Sequence, residues 1–357
     1  MNNVTPPLNI ETKNLSRAEA NKNKSLVPAV TVCMIALVLL LASFYIFLRI
    51  YNKYTLKCTV NADGASCTIV AVEKRAVLPS VYFPNEIVLP EIIDGLPVTA
   101  IAPEALNGLK NAQKVILPGT VTTVSEGAFA SCSSLTSVTL PAALISIPEN
   151  LFKDCIALET VIFGGNEKQI CKSAFEGCLS LSSLSLPESV EVIDSRAFSY
   201  CTGLTEIKLP ASLSYIGEEA FFGCESLKFL TVPHSVNEIG GYAFRGCSAL
   251  EAINLGSAES IGMGAFHLCT SLKSITLPEK ITYLDDKTFY GCESLESVTL
   301  PRGLRGVGER IFESCANLTE IKYGGTKNEW SNVGLDAYWS INSRINAVSC
   351  TDGKIDV

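Results

Sequence analysis

The 357-residue chain is poor in the residues that carry most site chemistry. It has two histidines, His234 and His267, two tryptophans and three methionines. No Cys-x-x-Cys pair occurs despite fourteen cysteines. Zinc sites draw close Cys or His pairs from one turn, so that reading fails at the count. No glycine-rich phosphate loop follows an expected strand, which leaves nucleotide binding without a basis. Neither histidine has a sequence-local Ser or Cys with an acid partner, and both read as solvent-facing loop residues; no catalytic residue, metal ligand or cofactor is expected. Basic charge is also scarce. Residues 1–50 carry five Lys/Arg against two Asp/Glu, leaving 23 against 34 in residues 51–357. A body this acidic repels phosphate backbones, so nucleic acid is not an expected partner.

One segment lacks charge altogether. Residues 25–48 hold no ionisable Asp, Glu, Lys or Arg. Twenty-four helical residues at ~1.5 Å each span ~36 Å, enough to cross a ~30 Å hydrocarbon core. The run is too long for the ~7–15-residue core of a cleaved signal and ends in Arg49. The expectation is a polar tail over 1–24 and an uncleaved transmembrane anchor over 25–49. Lys13, Arg17, Lys22 and Lys24 before it, against Arg49, Lys53 and Lys57 after it, favour a cytoplasmic N-terminus and an extracellular C-terminal part.

What is abundant is repetition. Cysteines recur at 132, 155, 178, 201, 224, 247, 269, 292 and 315, every 23 residues with a single interval of 22. A phenylalanine stands three residues before each, from Phe129 to Phe312, and a leucine three residues after, from Leu135 to Leu318. An aliphatic column runs through Ile147, Ile170, Ile193, Ile216, Ile239 and Ile261. In the coil that starts at Cys201, Ile207 and Leu209 alternate with polar neighbours, as in a short half-buried strand, and Pro210 ends it. The stretch before Phe221 reads as a short helical turn. A single coil cannot bury these side chains, but stacked coils cover one another. The ladder cysteines fall on the inward side, where a small thiol packs well and parallel Cβ vectors disfavour disulfides.

This pattern, Leu-x-x-Ile-x-Leu-Pro followed by Ile-Gly-x-x-Ala-Phe-x-x-Cys, resembles the BspA-like leucine-rich repeats of bacterial and protist surface proteins. The likeness covers residues 94–323, with about ten coils. Residues 94–101 are similar to that family's lead into the first repeat, and residues 323–330 to its closing segment. The first coil has Leu106 and Leu109 in place of Phe and Cys, and two coils replace Leu-Pro with Phe163, Gly164 and Gly165 or with Leu255 and Gly256, so different bends are expected there. The fold class expected is therefore an α/β-type repeat solenoid with a parallel sheet on one face and short helical turns on the other. An N-terminal cap over 50–93 would begin with a hairpin at Asp63 and Gly64. That turn places Val60 opposite Cys67, with Cys58 diagonal, which leaves a Cys58–Cys67 disulfide open. A C-terminal cap over 324–357 would start with a capping box from Thr326 to Glu329 and be sealed by Trp330 and Trp339.

Positions five and seven after each cysteine point outward from the sheet. Most are Ser or Thr, but Ile162 and Phe229 are large and apolar. Phe229 has Lys208 and Lys228 beside it. An exposed aromatic flanked by charge fits an interface anchor, so the candidate binding face is Ile162, Glu206, Lys208, Lys228, Phe229, Thr231, Glu251 and Asn254. The resemblance implies adhesion to, or recognition of, a host or neighbouring-cell surface protein. The alternative is a cytoplasm-facing or structural scaffold without an extracellular ligand.

Overall fold

The computed structural model describes residues 55–73 and 85–357. The expected tail and anchor over 1–49 lie outside the described residues. Among the described residues no helix is long and apolar enough to cross a membrane.

Each coil contributes two short parallel strands. The three-residue strand follows the leucine column. Lys114–Ile116, Ser137–Thr139 and Thr160–Ile162 pair in register, Val115 against Val138 and Val138 against Val161. A separate parallel ladder further along joins Ser274–Thr276, Ser297–Leu300 and Glu320–Tyr323. After the bend comes a two-residue strand that ends on the aliphatic column. These strands form an unbroken parallel sheet from Ser146–Ile147 to Ser260–Ile261. Ile147, Ile170, Ile193 and Ile216 thus stack directly on one another and are fully buried.

The third side of the coil corrects the sequence reading: it is not helical. An α-helix needs right-handed backbone throughout and N–H bonds to the carbonyl four residues back. Here left-handed residues recur five and one positions before each cysteine, as at Glu219 (φ 54°) and Gly223 (φ 70°). Backbone bonding alternates accordingly. Glu219, Phe221 and Gly223 donate forward to carbonyls of the next coil, Gly241, Ala243 and Arg245, at 2.8–2.9 Å. Ala220, Phe222 and Cys224 donate three residues back, at 3.1–3.3 Å. A left-handed non-glycine residue costs ~1–2 kcal/mol. The bonds to the neighbouring coil offset that cost, because a buried N–H without a partner is at least as expensive. The only helix among the described residues is α1 (Lys327–Trp330). The architecture is an all-β solenoid rather than an α/β one.

Between the three sides lies a core of columns. Phe129, Phe152, Phe175, Phe198, Phe221, Phe244, Phe266, Phe289 and Phe312 are each wholly buried. Successive rings stack with centroids 5.3–5.8 Å apart, and from Phe198 to Phe312 their planes lie within 11° of parallel. The cysteine column runs beside them. Each thiol donates to the carbonyl of the phenylalanine one coil earlier, Cys201 to Phe175 and Cys247 to Phe221, at 3.1 and 3.2 Å. Cys132 has no phenylalanine below it and donates to Leu106 at 3.2 Å. Burial pushes the thiols of Cys201, Cys247 and Cys315 up to about 12. A thiol that stays protonated is a packing group, not a nucleophile.

Covering elements stand at both ends of the described coils. β-Strands Thr55–Val60 and Cys67–Glu73 form the N-terminal hairpin, with Val60 opposite Cys67. Its loop is wider than a two-residue turn, because Asn61 N–H donates to the Ser66 carbonyl at 2.9 Å and the Asp63 carboxylate accepts from Ala65 and Ser66 N–H. Those bonds hold the Asp63 carboxyl below its usual range. At the other end Thr326 and Glu329 make both halves of the capping box. Trp339 lies edge-on to Phe312 at 6.2 Å and to Trp330 at the same distance, covering the last ring of the stack.

Candidate functional site

The three-residue strands present their first and third side chains to solvent and bury the second, as in Glu206–Lys208 and Phe229–Thr231. Alternation of this kind follows from the pleat. Were the ladder continuous, this face would be a flat carpet of Ser, Thr and scattered charge. It is not continuous. Ser183–Ser185 pairs with Glu206–Lys208, and Phe229–Thr231 with Ala252–Asn254. Among the described residues, however, no ladder joins Glu206–Lys208 to Phe229–Thr231. Two further breaks follow Thr160–Ile162 and Ala252–Asn254.

At the middle break the face opens into a groove of about 910 Å³, with Glu206, Lys208, Lys228, Phe229, Thr231 and Asn254 among its lining residues. Its floor is the inward row. Ile207, Leu209, Leu230 and Ile253 keep 4–8% of their surface exposed there, whereas the phenylalanine column keeps none. Phe229 stands at the rim with 61% of its surface open to solvent. A smaller hollow of about 390 Å³ lies at the next break, between Ala252 and Pro278. The strand edges that face each other across the break share no ladder, and strand edges of that kind can pair with another chain.

Charge around the groove is arranged in pairs across coils. Lys208 Nζ lies 3.0 Å from Glu188 Oε1, and Lys273 Nζ 2.8 Å from Glu251 Oε2. The Glu251 carboxyl is held below its usual range by Lys273 first and by Lys228 in addition. Lys228 is exposed and lines the groove beside Phe229.

The structure brings most of the expected face together. Glu206, Lys208, Lys228, Phe229, Thr231 and Asn254 line one groove, while Glu251 pairs with Lys273 and is not part of that lining. Ile162 is exposed, at 54%, but belongs to a strand before the first break and shares nothing with the groove. Sequence reasoning missed the floor and, with it, Ala211 and Pro233 on the bends. Two breaks carry a signal, since they follow the coils with Gly164 and Gly256 in place of proline. A Cβ on Gly164 would lie 2.4 Å from the Pro141 carbonyl, and one on Gly256 2.6 Å from that of Pro233. The middle break has the ordinary Leu209 and Pro210, so nothing in the sequence marks it.

A second strip, on the turn side, was also missed. Tyr200 packs edge-on against Phe222, and the Arg245 guanidinium lies 5.2 Å over Phe222 and 5.7 Å from Tyr242. His267 sits between Tyr242 and Tyr290, at 6.3 and 4.7 Å. It is not the solvent-facing loop residue expected: its Nδ1 is buried without a partner. Burial, then Arg245 and Lys287, lower its pKa to about 4. His234 is exposed as expected, its Nδ1 3.0 Å from Ser257 Oγ.

Coils of about 23 residues, each with two short parallel strands, and a stacked phenylalanine core define a leucine-rich-repeat solenoid with a groove on its longer-stranded face. The chain belongs to the BspA type leucine rich repeat family, which matches over residues 79–205, 168–258, 191–319 and 255–343. No curated protein matches the chain. Among solved structures, a leucine-rich repeat protein from Bacteroides ovatus is 23% identical with a TM-score of 0.53, over 82% of this chain and 88% of that one. A leucine rich cell surface protein from Faecalibacterium prausnitzii is 25% identical over 79% of this chain and 96% of that one, with a TM-score of 0.38. The pneumococcal vaccine antigen PcpA is 20% identical over 77% and 80%, with a TM-score of 0.49. The first of these supports the fold; the family assignment itself points to protein binding or recognition.

Proposed function

We propose that this chain is a surface-displayed recognition module, held to the membrane by residues 25–49 with its N-terminus cytoplasmic, that binds a host or neighbouring-cell protein through the groove at Phe229. The observation that carries the reading is the groove itself: among the described residues, the only large solvent-facing aromatic of this ladder stands where the ladder parts, over an apolar floor that keeps 4–8% of its surface exposed. An exposed aromatic next to a lysine and a recess is the arrangement from which interface hot spots are built. The uncharged run over 25–48 supports the anchor, and the membership in a family with cell-surface members supports display.

The test has two arms on intact cells. A photoreactive side chain placed at Phe229 should cross-link a discrete partner, while the same probe at Thr299 on a closed part of the sheet should not. Equal labelling from both positions would remove the groove from the proposal. A tag after Val357 should be digested by external protease; its protection until the membrane is opened would reverse the orientation and turn the search to cytoplasmic partners.

A further inference from the structure

The ladder thiols are sealed in the core, each with a carbonyl partner, but one pair of cysteines lies outside it. Cys58 and Cys67 belong to the two strands of the N-terminal hairpin. Cys58 is opposite Ile69 and Cys67 opposite Val60, so they are diagonal neighbours on one face of the ribbon. Paired strands twist right-handedly about each other, and that rotation shortens the diagonal running from Cys58 back toward the turn. The Cys58 thiol also acts on its neighbour: after burial, it is the next cause that raises the Cys67 pKa. From Cys58 to the turn the register is regular, the one shift falling between Lys57 and Cys58, and Asn61 N–H to Ser66 with the Asp63 carboxylate fixes the loop between the two cysteines.

Access to the two sulfurs differs. Thr55–Val60 is the outer strand of its sheet, and Cys58 is half-buried. Cys67 is 1% exposed, faces Val98 on the next strand inward, and has its sulfur 3.7 Å from the Leu96 carbonyl oxygen. This is the layout of a reachable thiol with a second, protected one beside it.

We propose that Cys58 and Cys67 close to a disulfide within the folded hairpin when the chain meets a small-molecule disulfide. The Cys58 thiolate attacks one sulfur of that oxidant, its sulfur–sulfur bond breaks, and one small thiolate leaves and takes up a proton. Cys67 then gives its proton to water and attacks the Cys58 sulfur, which releases the second small thiolate, protonated in turn. Two cysteine thiols are oxidised and one small disulfide is reduced to two thiols. The protected position of Cys67 makes the second step the slower one, since the attacking thiolate is the scarce species.

The test uses the full chain, incubated folded with oxidised glutathione, then unfolded, alkylated and mapped by mass spectrometry. The expected result is one cross-linked peptide joining Cys58 to Cys67. The Cys67→Ser variant should instead keep glutathione on Cys58, and the Cys58→Ser variant should lose the cross-link and leave Cys67 unmodified. Glutathione retained on Cys58 of the unsubstituted chain without a cross-link would overturn the proposal. So would both thiols surviving unmodified, or a cross-link from either cysteine to a different partner.

Discussion

The thiol of Cys224 donates to the carbonyl oxygen of Phe198, one coil earlier, at 3.2 Å. The same carbonyl also accepts from the Cys201 N–H of its own coil, at 3.2 Å. Each phenylalanine carbonyl of the column therefore serves two coils. Replacing Cys224 by Ala removes one of two donors and leaves the acceptor satisfied, so the cost should be about 1 kcal/mol, near the low end for a buried hydrogen bond. Urea unfolding at fixed pH measures it; a loss above about 3 kcal/mol would mean that the cysteine column does more than pack and donate.

The phenylalanine column should be far less tolerant. Phe221 stacks at 5.4 Å on both Phe198 and Phe244 and has no exposed surface. Phe221→Ala opens a cavity between two rings that cannot close on it, and the expected loss is about 3–5 kcal/mol. The same unfolding assay compares it with Cys224→Ala, and the phenylalanine variant should be the weaker protein.

Acid should act on the turn side through His267. Its folded pKa is about 4, below the ordinary 6.5. The unfolded chain therefore binds the proton first as pH falls, so stability present above 6.5 is lost between 6.5 and 4 and changes no further from this group below that. Arg245 and Lys287, on neighbouring coils, add to the burial that disfavours the charged ring. Carboxylates titrate in the lower part of the same window, so the measurement is the difference between the native chain and His267→Gln. The gap between their melting temperatures should narrow or reverse on going from pH 7 to pH 4.5, and a gap constant with pH would exclude the histidine.

Phe229→Ala with Lys228→Ala should leave stability within about 0.5 kcal/mol, because both side chains are open to solvent and neither fills the core. Thermal melting checks this directly. A double variant that melts much lower would show that Phe229 closes the floor of the groove and is not free to meet a partner.

Most of the fold is legible in the sequence because burial writes itself as columns. The recurrence of the pattern of Phe175, Cys178 and Leu181 every 23 residues along the chain, with one interval of 22, fixes the coil length and marks the inward side. The non-helical third side is not legible in that way. Ala-Phe-x-x-Cys suits a helical turn by local preference, and the left-handed residues that break it are as varied as Asn150, Arg196, Tyr242 and Lys287. Their conformation is imposed by hydrogen bonds to the next coil, which no single repeat displays. The groove divides likewise. Phe229 and Lys228 stand out as an exposed pair by position, but the parting of the strands beneath them depends on how two coils lean on each other, and Leu209 and Pro210 give no sign of it.

The one short repeat shows where the chain tolerates a change in length. From Ile261 to Cys269 the spacing is the same as from Ile239 to Cys247, and Ala252–Asn254 keeps its place after Cys247. The missing residue is taken entirely from the bend at Gly256, whose left-handed backbone (φ 60°) turns the chain sooner. Insertions and deletions at the bends are thus silent for every downstream coil, while one between Phe266 and Cys269 would shift the left-handed sites out of step with their neighbours. The bends border the groove, so loop length there can vary from one descendant of this array to another and reshape what the groove accepts while the stack beneath stays unchanged.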